Sequence, residues 1–349
     1  MIRLPSFTYV AARSIAEAVD HLAASPAETM LLAGGTDLLP NMKRRQQVPR
    51  VVVGLRGVAE LSGVGRLPSP QSGLDGQALT LGTMNSLTSL VRDERLKGEC
   101  PGLWQAAAQI ATPHLRNMAT IGGNLCLDTR CTYYDQSYEW RQAINFCMKK
   151  DGDICWVATS SPKCLAVSST DTAPMFQALG ARVRLVSTKG QRTIDVADLF
   201  ANDGMQYLTR QPDEIITDVI VPDQLGRRSA YWKLRRRGSF DFPVASVAVA
   251  GQVEPDGRVQ DIRLVLGAVA SRPLGIPAAE ALLRGQVLTD DLIAAAADAA
   301  YPAGKPMDNT DYELVWRKKM IRPLVTYALR DLRGDDTRAL RLRLARQIL

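Results

Sequence analysis

Histidine is almost missing from this chain, with two residues in 349. Neither His21 nor His114 stands in an H-E-x-x-H element, and no Ser/His/Asp arrangement is present, so zinc-protease and serine-hydrolase chemistry have no sequence support. The G-x-G-x-x-G fingerprint is absent, and a Rossmann NAD site is not assigned. No apolar run approaches the roughly 20 residues that span a bilayer, so no membrane association is expected. The opening MIRLPSFTYVAARSIAEAVD lacks the apolar core of a secretory signal, and the expected location is cytoplasmic. Zinc-finger, homeodomain and RNA-binding signatures are lacking too. This last absence matters because the net charge is +7, which invites a nucleic-acid reading. The basic residues are dispersed apart from Lys43–Arg45 and Arg235–Arg237. A solvated or anion-facing surface is expected instead, with no nucleic acid. A phosphate-rich cofactor or an acidic protein would use the same charge.

What is present is a globular composition, 46% hydrophobic and 23% charged, long enough for two or three domains. Ser14 and Glu17 form a capping box that opens a helix running to Ala24. Thr29 to Ala33 reads as a strand, a helical pattern starts at Asp37, and Val48 to Leu55 is a second strand. The Gly/Pro/Ser-rich GVGRLPSPQSGLDGQ joins hairpin strands. Further on, a helix is expected over Pro101 to Thr112, another over Thr172 to Leu179, and strands at ARVRLVST and EIITDVIVP. From Ser229 three long strands and then helices at about 278–284, 290–300 and 312–333 indicate a separate domain with an antiparallel sheet. Between these parts, residues 126–170 carry no apolar periodicity. A structureless stretch of that length is abnormal in a compact domain, and something other than apolar burial must order it.

Six cysteines in a chain expected to be cytoplasmic point to buried thiols, a metal site or redox chemistry rather than disulfides. Cys131, Cys147, Cys155 and Cys164 all fall in this polar stretch. Their spacing is neither the C-x-x-C of zinc ribbons nor a ferredoxin run, and four thiolates hold Zn²⁺ or an iron–sulfur cluster equally well. Cys126 competes for the first ligand position, while Cys100 reads as a lone thiol. A metal centre would supply the missing folding free energy of the loop.

Two diglycines stand beside apolar segments. LLAGGTD places Gly34 and Gly35 after a strand, where the backbone can approach a ligand and aim several N–H groups at an anion. TIGGN, with Gly122 and Gly123, is expected to repeat the device. Either alone is compatible with a plain turn; together they suggest one dinucleotide gripped from two sides. Among the remaining candidates, His114 reads as a helix-end residue, His21 as a surface residue and Asp171 as a helix N-cap.

AGGT near the N-terminus, TIGGN near residue 120 and the C-terminal antiparallel domain resemble the FAD-binding medium subunits of the molybdenum hydroxylases, which include xanthine dehydrogenases and aerobic carbon monoxide dehydrogenases. The resemblance implies an α+β, vanillyl-alcohol-oxidase-type fold. Two FAD-binding α/β subdomains would occupy 1–56 and 57–225, with the loop 126–170 inserted in the second and a C-terminal domain at 226–349. It implies FAD held by Leu31, Leu32, Ala33, Gly34, Gly35, Thr36, Asp37 and Leu38 around the pyrophosphate. Thr112, Thr120, Gly123, Asn124, Asp171 and Lys233 would complete the site. Ile110 stands where an aromatic residue often lies near the flavin, which fits an enzyme that does not deliver electrons to NAD⁺. Most members lack the cysteine loop. Here GGNLCLDTRCTYYDQSYEW with the three later cysteines resembles the insertion of the 4-hydroxybenzoyl-CoA reductase β subunits. That likeness implies a [4Fe–4S] cluster on Cys131, Cys147, Cys155 and Cys164, with Cys126 outside it. It implies a molybdenum-cofactor large subunit, a small subunit with two [2Fe–2S] clusters and a ferredoxin-like donor as partners. No residue of this chain would be a general acid or base.

Overall fold

Three sheets follow one another along the chain in the computed structural model, which describes residues 3–68 and 77–346. The first is parallel, with strands Thr8–Ala11, Val51–Gly54 and Thr29–Leu32 in that spatial order. The helix Ile15–Ala24 starts as its capping residues dictate, the Ser14 hydroxyl accepting from the Glu17 amide at 3.1 Å. The Thr8–Ala11 strand is not anticipated from the sequence because it is a largely exposed edge with no apolar alternation.

The second sheet is antiparallel, in the order Val64–Pro68, Gln77–Gly82, Ile215–Val221, Arg182–Ser187, Gly190–Asp195. Pro68 pairs with Gln77, so the Gly/Pro/Ser-rich stretch does join hairpin strands; residues 69–76 lie outside the described residues. The third sheet, also antiparallel, contains Arg227–Leu234, Ala245–Val253 and Val259–Gly267, with the short Leu274–Gly275 at its edge. Helices Ile321–Arg333 and Pro277–Leu283 pack on it, and Asp290–Ala300 packs against those two helices.

Three expectations need correction. The helix from Pro101 ends at Ala108, because Pro113 disfavours helical backbone at the residue before it and the chain turns through Ala111 at φ 46°. The helix expected over 312–333 is two helices, Leu314–Lys319 and Ile321–Arg333, and Pro323 falls in the first turn of the second, where a missing N–H breaks no helical bond. Segment 126–170 is irregular as expected, yet contains one short helix, Tyr138–Ala143, capped by Ser137 and too short and polar to show a period. The two ends of that segment meet: Arg130 and Val167 exchange backbone hydrogen bonds of 2.8 and 2.7 Å.

Two features position the site. Helix Thr172–Leu179 is buried along nearly its whole length between the Pro101–Ala108 helix and the third sheet, and Gly180 at φ 71° closes it. Its N-terminus therefore presents Asp171 to the strand Arg227–Leu234. Along that strand the two-residue period sends Tyr231 and Lys233 toward Asp171, while Trp232 and Leu234 enter the core under the C-terminal helices.

Candidate functional site

The turn after Thr29–Leu32 is shaped as an anion cradle. Leu31 to Asp37 are all half-buried, and Leu38 behind them is buried. Among the described residues, no hydrogen bond is donated by the amides of Gly34, Gly35, Thr36 or Asp37. Gly35 sits at φ 73°. Gly34 is pressed against the second motif: a Cβ there would collide with the Met118 carbonyl and lie 3.0 Å from the Ala119 Cα.

The second diglycine does not repeat the device. Gly122 and Gly123 belong to the first turn of a short helix, Ile121–Leu125. The Gly122 amide bonds the Thr83 carbonyl at 2.8 Å and the Gly123 amide bonds the Thr120 hydroxyl at 3.1 Å. Their donors are used inside the protein, so this motif forms a close-packed wall; a Cβ on Gly123 would lie 4.0 Å from that of Ala33. The sequence signal was the same in both motifs, and the capping threonine decides the difference. Asn124 is buried, its amide oxygen accepting from the Thr170 and Thr172 hydroxyls at 2.8 and 2.6 Å. Thr112 caps the turn Pro113–Arg116, whose His114 is exposed at a helix end; His21 is exposed on the first helix.

Asp171 occupies the N-cap position without capping. Its carboxylate accepts from the Tyr231 hydroxyl at 2.7 Å and pairs with the Lys233 ammonium at 3.0 Å, both charges almost wholly buried. Burial pushes Asp171 above the ordinary carboxyl range and Lys233 below the ordinary ammonium range, each opposed by the other's charge. Lys233 and Arg235 also donate to the Gln109 carbonyl at 3.1 and 3.0 Å, which ties this pair to the turn holding Ile110.

Cys131, Cys147, Cys155 and Cys164, each at most 6% exposed, line one small cavity with Tyr134, Met148 and Trp156. Backbone N–H groups of Tyr133, Lys149, Lys150 and Ala166 point at three of the sulfurs. Burial pushes the Cys131 thiol up to about 12 and Cys164 up to about 11, so neither ionises at neutral pH without a metal to displace its proton. Among the described residues, no group of three or more His, Cys, Asp or Glu could hold a metal ion as it stands. Four thiols lining one cavity are the donor set that Zn²⁺ and iron–sulfur clusters share. Cys126 lies outside this cavity, packed against the apolar core that contains Cys100, Leu103 and Phe176.

Charges missed by sequence reasoning join the two sites. Arg130, next to Cys131, pairs with Asp37 of the glycine turn and with Asp135 at 3.3 Å. The Lys149 side chain is nearly enclosed and donates to Asp128, Thr129 and the Gly204 carbonyl at 2.6–2.7 Å. The Asp128 amide in turn reaches Asp37 at 3.4 Å. The only signal in the sequence was unusual charge density in a segment that folds inward. Gly204 is equally silent there, yet a Cβ on it would lie 2.7 Å from the Cys164 sulfur.

Residues 5–224 match the family described as the FAD binding domain in molybdopterin dehydrogenase, and residues 229–332 match the CO dehydrogenase flavoprotein C-terminal domain. The chain belongs to the FAD-binding medium subunits of the xanthine dehydrogenase and CO dehydrogenase family. This medium subunit is 31% identical over 307 residues to the aldehyde oxidoreductase FAD-binding subunit PaoB of Escherichia coli K12, covering 84% of this chain and 91% of that one. It is 27% identical to the nicotine 6-hydroxylase medium subunit of Paenarthrobacter nicotinovorans, covering 93% and 96%. Its fold matches the carbon monoxide dehydrogenase structure from Hydrogenophaga pseudoflava with a TM-score of 0.75 at 27% identity, over 95% of this chain and 98% of that one. The α+β architecture expected from the sequence is thus that of the family. FAD is the cofactor for which the matched domain is named, and the free amides of the Gly34–Asp37 turn have the donor chemistry a pyrophosphate needs.

Proposed function

We propose that this medium subunit holds FAD and a [4Fe–4S] cluster in the electron path of a molybdenum enzyme. The path would run between a low-potential donor such as ferredoxin and two [2Fe–2S] clusters and a molybdenum cofactor on partner subunits. The observation that carries the reading is the convergence of Cys131, Cys147, Cys155 and Cys164 on one cavity, in a loop pinned to the FAD turn through Arg130 and Asp37. Neither matched family is named for iron, so the cluster rests on the cysteines themselves. When bound, the cluster and flavin supply one- and two-electron chemistry, with potentials set by hydrogen bonds and nearby charge. The chain's own residues do the positioning. The amides of Gly34–Asp37 bind the pyrophosphate, Asp171 and Lys233 fix the wall beside Ile110, and backbone N–H groups stabilise the thiolates. None of them has to move a proton. The dispersed basic surface would draw an acidic donor protein by electrostatic steering.

The loop's resemblance to the 4-hydroxybenzoyl-CoA reductase insertion suggests reductive removal of the phenolic hydroxyl of 4-hydroxybenzoyl-CoA at the molybdenum subunit. A second reading, oxidation of an aldehyde, is favoured by the 31% identity to the aldehyde oxidoreductase subunit. Assaying the assembled complex separates them: turnover of 4-hydroxybenzoyl-CoA with a reduced viologen supports the first, and aldehyde-dependent dye reduction supports the second. For the cluster, oxygen-free preparations should contain about four iron and four sulfide per chain. Cys147→Ala should lose both while retaining FAD; Cys126→Ala should keep all three. One zinc and no sulfide would end the proposal.

A further inference from the structure

Among the described residues, three cations of the cysteine segment turn inward, and one of them has no full partner. Arg130 is neutralised by Asp37 and Asp135, and Lys149 by Asp128 at 2.7 Å. Arg141, on the short helix inside the cysteine segment, is 0% exposed. One nitrogen, Nη2, donates to the Arg44 carbonyl at 3.1 Å. Among the described residues, its Nε and Nη1 find no hydrogen-bond acceptor. The nearest carboxylate, Asp151, stands 3.9 Å away, is 39% exposed and is shared with Lys150 at 3.2 Å. Beyond that the guanidinium meets only the rings of Tyr138 and Phe146, 5.8 and 5.9 Å from their centroids. A buried, underpaired cation is expensive to keep. Its backbone carbonyl accepts from the Phe146 amide at 2.6 Å, one residue before Cys147, and its partner Asp151 is bridged to Cys147 through the backbone.

We infer that Arg141 is the counter-charge of the four-cysteine centre, a positioning and tuning residue whose unspent positive charge makes the cluster easier to reduce. The inference rests on the cluster proposed above. Four thiolates bring negative charge into this pocket, and reduction adds one more; a desolvated cation nearby favours the reduced state, since charge and hydrogen bonding near a cluster set its potential. The aromatic contacts and the Arg44 tether hold the guanidinium in place without cancelling it.

The test is a redox titration of the assembled, anaerobically purified complex, followed by EPR of the reduced four-iron signal, with iron and sulfide counted in each sample. Arg141→Gln should keep the cluster and lower the reduced-to-oxidised ratio at fixed potential by tenfold or more, a negative shift of about 59 mV for one electron. Arg141→Lys should return most of it. Asp151→Asn serves where Arg141→Gln loses iron or fails to fold. Asp151 sits at φ 66°, which asparagine accepts readily, and its removal should shift the potential the opposite way, to more positive values. A purely structural Arg141 would move stability and leave the midpoint alone. An intact cluster with unmoved potentials in Arg141→Gln, or in Asp151→Asn where that stands in, overturns this inference and spares the reading above. A wild-type protein lacking iron and sulfide removes both.

Discussion

Replacing Lys233 by methionine should destabilise the folded protein by about 3–5 kcal/mol, because it leaves the Asp171 carboxylate buried without its cation. The pair is 3.0 Å apart and almost fully enclosed, so water cannot replace the ammonium. The loss should depend on pH. With Lys233 gone, the Asp171 value in the folded state, already raised by burial, rises further above the unfolded value of about 3.9. A group raised in this way contributes its full stability below the unfolded value and loses it as pH climbs through the folded one. Wild-type Lys233, lowered by burial, acts in the same sense: its contribution is present above its unfolded value and fades as pH falls through the folded one, a fading the variant lacks. The deficit should therefore widen from pH 5 to pH 7. Urea unfolding at the two pH values measures it, and a deficit under about 1 kcal/mol, or one equal at both, would contradict the account. The Asp171→Asn, Lys233→Met double variant should recover a large part of the loss.

Gly34→Ala should weaken FAD binding by about 5- to 150-fold, the equivalent of 1–3 kcal/mol of overpacking. Its Cβ would enter the Met118 carbonyl, and backbone on both sides leaves no flexible side chain to yield. The two motifs must separate, which opens the wall and moves the free amides together. Flavin absorbance of the purified protein and titration of the apoprotein with FAD report the change. Full flavin occupancy with unchanged affinity would show that the close approach of Gly34 to Met118 does not shape the site.

Much of the fold was legible because it obeys simple periods. Helices Ile15–Ala24, Thr172–Leu179 and Asp290–Ala300 lie where caps and apolar spacing put them, and the long strands of the C-terminal sheet announce themselves by β-branched runs. The edge strand Thr8–Ala11 was hidden because an exposed strand shows no alternation. The site was legible in part. Gly34 and Gly35 could be read as a ligand turn, since strand, glycines and helix follow in order. Gly122 and Gly123 looked the same and were not, because a hydroxyl three residues before Gly123 consumed its amide. Arg130, Lys149 and Arg141 could not be found at all. A charged residue in a polar loop is ordinarily solvated, and only the chain's path reveals that these three point inward.

The mutual clasp of Arg130 and Val167 has a consequence for descent. Because the cysteine-bearing excursion leaves and rejoins the scaffold at one point, the flanking elements need not spread to admit it, and lengthening such a handle adds only a slowly growing closure entropy. A lineage could thus acquire or discard the whole appendage on an unaltered chassis, without redrawing the sheets beneath it.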